Sequence, residues 1–521
     1  MSAHRRVTVL LCSLALAMSL AAQDGLNSGE VVLDRYIVVY RNGIIPGDAD
    51  NRALSLGARL LHRQNHLGIA TVEYSHRSGI AARRTAQALS DGRTPLQELS
   101  AQPNVEYVIH DRLVTAHKLR VRAVSKSEDP TFSVITRVAS AYDTYYNSPQ
   151  GWAVRQIGGY GAGIPGGLPH GPWDVTTGKG VRIAILDSGV DPSHPDIAPN
   201  LALNLTEIDP AIMPSVCDDG SPLDQAGHGT WAASLAAAAS GPGTGRLIGV
   251  APAATLLNIK VLERMPTAIP GADDSAQCAA GEFSGLLSWV IQGIDDAISN
   301  HADVISLSLG LIVDVSTGDG AGVKAAFDRV AYAAMRTGAV LVAAAGNDGY
   351  NLSNTRYIEI PAQSRGVLAV VAATNSDCME NTRSGAACIP GPPSLAYYSN
   401  YGAPLDALAA PGGSYPSGGD MAVSGWVRGA CSSGLPNTTD GLPIDSGHSF
   451  GCFDIGHAAY VQAIGTSASA PLVAGAAALL RAAHPDWDSI KIVDTLRSTA
   501  TLATPALPIP EVNLTNALAA P

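Results

Sequence analysis

From Val181 onward the chain alternates two kinds of segment. Continuous apolar runs stand at 181–186 (VRIAIL), 256–262 (LLNIKVL), 303–309 (DVISLSL), 339–345 (AVLVAAA) and 366–373 (GVLAVVAA). Runs without polar alternation suit strands buried on both faces of a parallel sheet. Stretches with helical spacing lie between or after them, at 229–240, 284–299, 321–336 and 468–483. This pattern predicts an α/β domain with right-handed crossovers.

Upstream the pattern changes. The segments LDRYIVVYRNG (33–43) and NVEYVIH (104–110) read as strands, and 78–91 carries helical spacing at Ile80, Ala81, Thr85 and Leu89. Together they predict a small α+β unit. A polar stretch at 118–147 reads as a linker. Segments 376–394 and 413–461 are rich in Gly, Ser, Pro and Cys and read as ordered loop insertions. The first 22 residues have the form of a secretory signal: Arg5 and Arg6, an uncharged apolar run from Val7 to Leu20, then small residues at Ala21 and Ala22. That run is shorter than the ~20 residues a membrane span needs, so no membrane association is expected.

Composition adds three constraints. Apolar residues make up 46 % and charged residues 15 % of the 521, which supports a large core and excludes a disordered chain. The net charge of −12 argues against nucleic acid as a partner, because a phosphate binder needs a basic face. Residues 24–120 carry a net +2 and residues 121–521 a net −16, so the two parts attract each other weakly. Six cysteines follow the signal segment, and an even count in an exported chain favours disulfides. Neighbours in sequence suggest Cys378–Cys388 and Cys431–Cys452, which leaves Cys217–Cys278.

Ligands of parallel sheets gather at the carboxyl ends of the strands. Asp187 directly follows VRIAIL, Ser308 ends DVISLS, and Asn347 follows AVLVAAAG. Two helix starts add His228, in GHGT, and Ser467, in GTSASAP. A serine at a helix N-terminus has backbone N–H groups and a positive dipole end beside it. Its hydroxyl needs an adjacent base, histidine suits that task near neutral pH, and a buried carboxylate can orient the ring. Asp187, His228 and Ser467 supply these three groups in that chain order.

At this point the sequence resembles the subtilisin-like serine endopeptidases (subtilases). The residues that carry the resemblance are ILDSGVDPSHPDI around Asp187, GHGTWAA around His228, GTSASAPLVAGAAALL around Ser467 and AAAGNDG around Asn347. The resemblance implies a subtilisin-like three-layer α/β fold with a mainly parallel sheet, preceded by a small α+β propeptide domain. It implies catalytic Asp187, His228 and Ser467, with Asn347 as an oxyanion donor. Ser308, Leu309 and Gly310 would pair with substrate and form one wall of the pocket for P1, the residue on the amino side of the cleaved bond. Ala344, Ala345 and Gly346 would form the other wall. Neither wall carries charge, which reads as apolar or broad P1 acceptance.

The resulting division is a signal at 1–22, an inhibitor-like propeptide at 23–117, a linker with the processing region at 118–147, and the catalytic domain at 148–521. The expected protein is a secreted, monomeric endopeptidase made as a self-processing precursor. Its partners are protein or peptide substrates and its own propeptide. No cofactor is required and no metal ligand is assigned; calcium is kept as a structural ion. Trp231 stands where many relatives carry His and reads as a change at the surface or behind the site. Asp218 and Asp219 read as solvated loop charges, and Asp295 as a solvated helix-end charge. Two alternatives stand beside this reading. Ser449, in GHSFG, fits the nucleophile elbow of α/β-hydrolase esterases, but lacks the preceding strand and following helix. A non-catalytic subtilase relative would be expected to have lost a triad member, and none is lost.

Overall fold

The computed structural model describes residues 29–74, 93–116, 120–121, 151–162, 170–241, 247–353, 356–374, 392–402, 405–413, 426–435, 453–454 and 458–521. The signal segment, the helical spacing at 78–91, the 118–147 linker apart from Arg120 and Val121, and Ser449, Cys378, Cys388 and Cys452 lie outside these residues.

The first unit is an antiparallel sheet of β1 (Val31–Tyr40), β2 (Ala58–Gln64), β3 (Ile69–Tyr74) and β4 (Val105–Ala116), in the order β2-β3-β1-β4. Helices α1 (Ala49–Ser55) and α2 (Pro95–Ser100) close one face. The run YIVVY in β1 is apolar throughout because both faces are buried. Tyr36, Val38 and Tyr40 pack toward α1 and α2, while Ile37 and Val39 face the larger domain. The expected strand at 104–110 runs on to Ala116; the sequence reading does not include β2, of mixed polarity, or the largely apolar β3. A two-residue strand, β5 (Arg120–Val121), follows.

The larger domain contains β6 (Arg182–Asp187), β7 (Leu201–Thr206), helix α3 (His228–Ala237), β8 (Thr255–Lys260), β9 (Glu263–Met265), β10 (Glu282–Leu286), helix α4 (Leu287–Ser299), β11 (Val304–Leu307) and β12 (Leu309–Asp314). It continues with helix α5 (Gly318–Arg336), β13 (Val340–Ala344), β14 (Tyr357–Ile360), β15 (Val367–Thr374), β16 (Ser394–Leu395), β17 (Ala407–Pro411), β18 (Val427–Ala430), β19 (Phe453–Asp454), β20 (Ala459–Ile464) and helix α6 (Thr466–Ala483). The main sheet runs β15-β13-β11-β6-β8-β7 with every pair parallel; β17 joins β15 in parallel and β16 joins it antiparallel. One face packs on α3 and α6, the other on α4 and α5. This is the expected α/β, three-layer arrangement.

Two segments differ from the sequence reading. The helix expected from 284 begins at Leu287, because Glu282–Leu286 pairs as a strand with β4 and β9. Within 413–461, read as loop, residues 427–430, 453–454 and 459–461 belong to a small antiparallel sheet. The expected Cys217–Cys278 bridge is present with a Cα–Cα distance of 5.4 Å, and Cys431 is disulfide-bonded as well. Among the described residues no helix is long and apolar enough to cross a membrane.

The first unit docks on α4 and α5 through directed polar contacts. Asp111, fully buried, accepts from the Ser288 N–H (3.0 Å) at the start of α4 and from Arg35 Nε (3.2 Å). Asp319 in the first turn of α5 accepts from the His110 N–H (3.0 Å) and Arg112 Nε (3.1 Å). Each carboxylate satisfies the open amides or complements the positive end of a helix. Asp295, read as a solvated charge, is buried and accepts from the His66 N–H (3.1 Å).

Candidate active site

Asp187 is the last residue of β6, at the carboxyl edge of the sheet, and is 1 % exposed. Its backbone carbonyl accepts from Val261 N and Leu262 N, and its Oδ1 accepts from the Ser188 N–H at 2.7 Å. His228 opens α3 one residue after Gly227, whose φ of +88° lies in the left-handed region. His228 Nδ1 stands 2.6 Å from Asp187 Oδ1. Phe283 and Trp231 pack near the imidazole at ring-centroid distances of 5.7 and 6.2 Å.

A second carboxylate, missed in the sequence, builds this helix start. Asp224 is wholly buried and accepts from Ala226 N (3.0 Å), Gly227 N (2.6 Å), Thr230 N (2.8 Å) and Ser188 Oγ (2.9 Å). Ser188 Oγ accepts in turn from the Gly229 N–H at 2.9 Å. Burial pushes the Asp224 carboxyl above its ordinary range, and its hydrogen-bond donors oppose that shift. Its place gave little signal: Asp224 stands three residues before the N-cap Gly227, outside the position from which a side chain ordinarily caps a helix.

Ser467 is the second residue of α6 and is fully buried, and α6 packs against α3. Ser467 Oγ and His228 Nε2 are both buried with no hydrogen-bond partner among the described residues. Asn347 lies just past β13. Its Oδ1 accepts from both the N–H and the hydroxyl of Thr466 at 2.8 Å. That contact fixes the amide with its acceptor end toward Thr466, directly before Ser467. Ser308 Oγ donates to the Ser467 carbonyl at 3.2 Å.

Leu309 and Gly310 open β12 and pair antiparallel with Ala116 and Thr115 of β4. On its other side β4 pairs with β10 through Thr115–Ser284, Val114–Gly285 and Leu113–Leu286. The end of β4 therefore fills a slot between two strands. Beyond it, Arg120 and Val121 pair with Ile464 and Ala463, just before Ser467. Residues 117–119, between these two pairings, lie outside the described residues.

Ala344 and Ala345 are fully buried at the end of β13, and Gly346 follows with a φ of +102°. Glu359 of β14 is 1 % exposed, and its Oε2 lies 3.4 Å from where a Cβ on Gly346 would sit. An acid in the strand YIEI reads as a solvent-facing alternation, so the sequence hid it. Of the two places read for Trp231, at the surface or behind the site, it takes the second: it is fully buried, donates to the Val427 carbonyl at 3.2 Å and packs under Gly429. One further expectation changes. Asp218 is buried in an ion pair with Lys260 Nζ at 2.6 Å.

The subtilase family model matches residues 178–516, and the chain belongs to the subtilase family. Subtilisin NAT of Bacillus subtilis subsp. natto is 32 % identical over 325 residues, 62 % of this chain and 61 % of that protein. The chain thus spans about three fifths of the length of that relative. Thermitase of Thermoactinomyces vulgaris is 33 % identical over 257 residues, 49 % of this chain and 72 % of that protein. Among solved structures, fervidolysin from Fervidobacterium pennivorans, a keratinolytic enzyme related to subtilisin, has a TM-score of 0.60 at 20 % identity and covers 96 % of this chain and 65 % of its own. That last likeness is one of fold.

Proposed function

We propose that the protein is a secreted serine endopeptidase made as a precursor that cleaves itself. Ser467 Oγ attacks the scissile carbonyl while His228 takes its proton, later delivering it to the leaving amine. Asp187 holds the ring through the 2.6 Å contact and stabilises the imidazolium. The Ser467 N–H and the Asn347 amide receive the tetrahedral oxyanion. Loss of one such donor in a subtilisin lowers turnover about 10²–10³-fold. The unmet His228 Nε2–Ser467 Oγ contact is compatible with this role, since catalytic hydrogen bonds often tighten only with substrate in place. Ser308, Leu309 and Gly310 bind the substrate backbone as an added strand. The chemistry proposed uses these side chains and no cofactor, and the working form is a monomer.

The observation that carries the reading is the course of β4. The chain's own segment 113–116 is seated as a strand between β10 and β12, and the chain resumes at Arg120 beside the approach to Ser467. A peptide substrate would need the same seat, so the first unit acts as an occupying propeptide. The test is Ser467→Ala, expected to accumulate a full-length precursor that never gains peptidase activity or labelling by a fluorophosphonate. Normal maturation of that variant would refute self-processing.

A further inference from the structure

Two ladders hold the chain where it passes Ser467, one on each side. β4 pairs antiparallel with β12 through Thr115–Gly310 and Ala116–Leu309. In an antiparallel ladder each step forward on one strand is a step back on the other. One further step in this register sets position 117 against Ser308, the residue whose hydroxyl donates to the Ser467 carbonyl at 3.2 Å. β5 pairs antiparallel with β20 through Arg120–Ile464 and Val121–Ala463. Counted back from Arg120, that register sets position 119 against Gly465, 118 against Thr466 and 117 against Ser467. Both counts start from described residues and reach the same position from opposite sides.

The count from β4 is firmly anchored. Thr115 is paired on both edges, with Ser284 of β10 and with Gly310 of β12. Val114 is fully buried and Ala116 is 6 % exposed. A slip of one residue would turn both of these side chains to the other face. A nucleophile needs its target carbonyl within about 3–3.5 Å and aligned. The carbonyl available to Ser467 is therefore chosen by the backbone register, whatever side chain that residue carries.

We propose that the precursor cuts itself at the peptide bond between His117 and Lys118. This rests on the self-cleaving endopeptidase reading and narrows the processing region, expected at 118–147, to the bond at its amino end. Ser467 Oγ bonds to the His117 carbonyl carbon, the bond from that carbon to the Lys118 nitrogen breaks, and the serine proton passes through His228 to that nitrogen. Water then adds to the acyl carbon and the bond to Ser467 Oγ breaks. One water proton returns through His228 to Ser467 Oγ, and His117 is left as a free carboxylate. The products are a first unit ending at His117 and a catalytic chain beginning at Lys118.

The test maps the chain ends of the full-length wild-type protein by intact mass and N-terminal sequencing, in a time course quenched with denaturant so that the first cut is read before later trimming. The earliest fragments are expected to end at His117 and begin at Lys118, and to be absent in Ser467→Ala. An earliest cut at any other bond overturns the assignment. The double variant His117→Ala, Lys118→Ala should still be cut between positions 117 and 118, because backbone pairing sets the bond; a cut that moves overturns it. One alanine inserted between Ala116 and His117 should shift the cut by one residue, to the bond after the inserted alanine, because β4 keeps its two-sided register and the two-residue β5 gives way. A cut that stays between His117 and Lys118 in that variant overturns the register argument. If the insertion variant does not mature, the wild-type ends and the double variant decide. A wild type that cuts itself at another bond sinks this assignment alone. A wild type that stays whole, or a cut that persists in Ser467→Ala, sinks the self-cleavage reading and this assignment with it.

Discussion

Replacing Asp224 tests whether the start of α3 is held by one buried carboxylate. Asp224→Ala leaves three backbone N–H groups, of Ala226, Gly227 and Thr230, and the Ser188 hydroxyl without their acceptor in a buried site. Each buried unmet donor costs about 1–3 kcal/mol before relaxation, and such costs are not additive. A net loss of about 3–5 kcal/mol is expected, with water entering the cavity to recover part. At about 2 °C per kcal/mol for a large domain, that is a fall of about 6–10 °C in Tm. The melt is best recorded with Ser467→Ala in both proteins, so that self-digestion does not intervene. In enzyme with Ser467 intact, kcat/KM should fall about 10²-fold, since a shift of ~1 Å in His228 is enough for that. Asp224→Asn is the control. Its Oδ1 can keep the contacts to Ser188, Ala226 and Gly227, its amide faces the Thr230 N–H, and the buried charge is gone. It should cost about 1–2 kcal/mol and less than ~10-fold in activity. If the Ala variant melts within about 1 °C of its parent, or the Asn variant is as damaged as the Ala variant, the hydrogen-bonded frame described here is not what positions His228.

Two further outcomes follow from the coordinates. A methyl group at Gly229 would run into the Gly189 carbonyl and within 3.1 Å of Asp187 Cβ, so Gly229→Ala should push α3 off β6 and lower kcat/KM about 10²-fold. Gly318→Ala, where a Cβ meets nothing within 4 Å, should leave activity unchanged, and equal effects of the two would refute the steric argument. Burial pushes the Glu511 carboxyl up to about 7 from its ordinary 4.5, and the hydrogen bond from Gln156 opposes this. The unfolded chain therefore releases this proton first. The contribution is fully present below pH ~4.5 and is lost as pH rises through ~7, on the order of 3 kcal/mol in all. Glu511→Gln should gain stability relative to wild type between pH 5 and 7.5 in thermal melts, and a pH-independent difference would count against it.

The legible part of the fold was the part buried on both faces. β6, β8, β11, β13 and β15 lie within one or two residues of the apolar runs, because a strand covered by helices on both sides has no polar alternation to confuse the reading. Asp187, His228, Asn347 and Ser467, the residues proposed for the site, stand out in the sequence because each sits at the end of such a run or at a helix start. What escaped were residues whose burial is imposed by a distant partner. Asp295 looks solvated until His66 is laid over it, and Asp218 until Lys260 reaches it. Glu359 looks like the outward position of a strand until β12, Gly346 and Asn400 enclose it. β10, in the polar segment GEFSG, becomes a strand by pairing with β4 and β9.

Local contacts rather than overall charge hold the first unit against the larger domain. Its net +2 against −16 for the rest suggested electrostatic attraction, but charges farther apart than about 8 Å are screened at physiological salt. The structure supplies local devices in place of that field. Across the contact Asp111 accepts from the start of α4 at Ser288 and Asp319 accepts from Arg112 and the His110 N–H, Ile37, Val39 and Ile109 join the core beneath the sheet, and β4 gains ladder hydrogen bonds on both sides. While the chain is intact the tether makes this docking intramolecular, with an effective concentration in the millimolar range. Cutting the chain removes the tether but none of these contacts. On the endopeptidase reading, cleavage alone therefore does not open the cleft. Loss of the first unit, by dissociation or digestion, is the step that does, and its rate is set by the buried Asp111 and the apolar face of β1 far more than by overall charge.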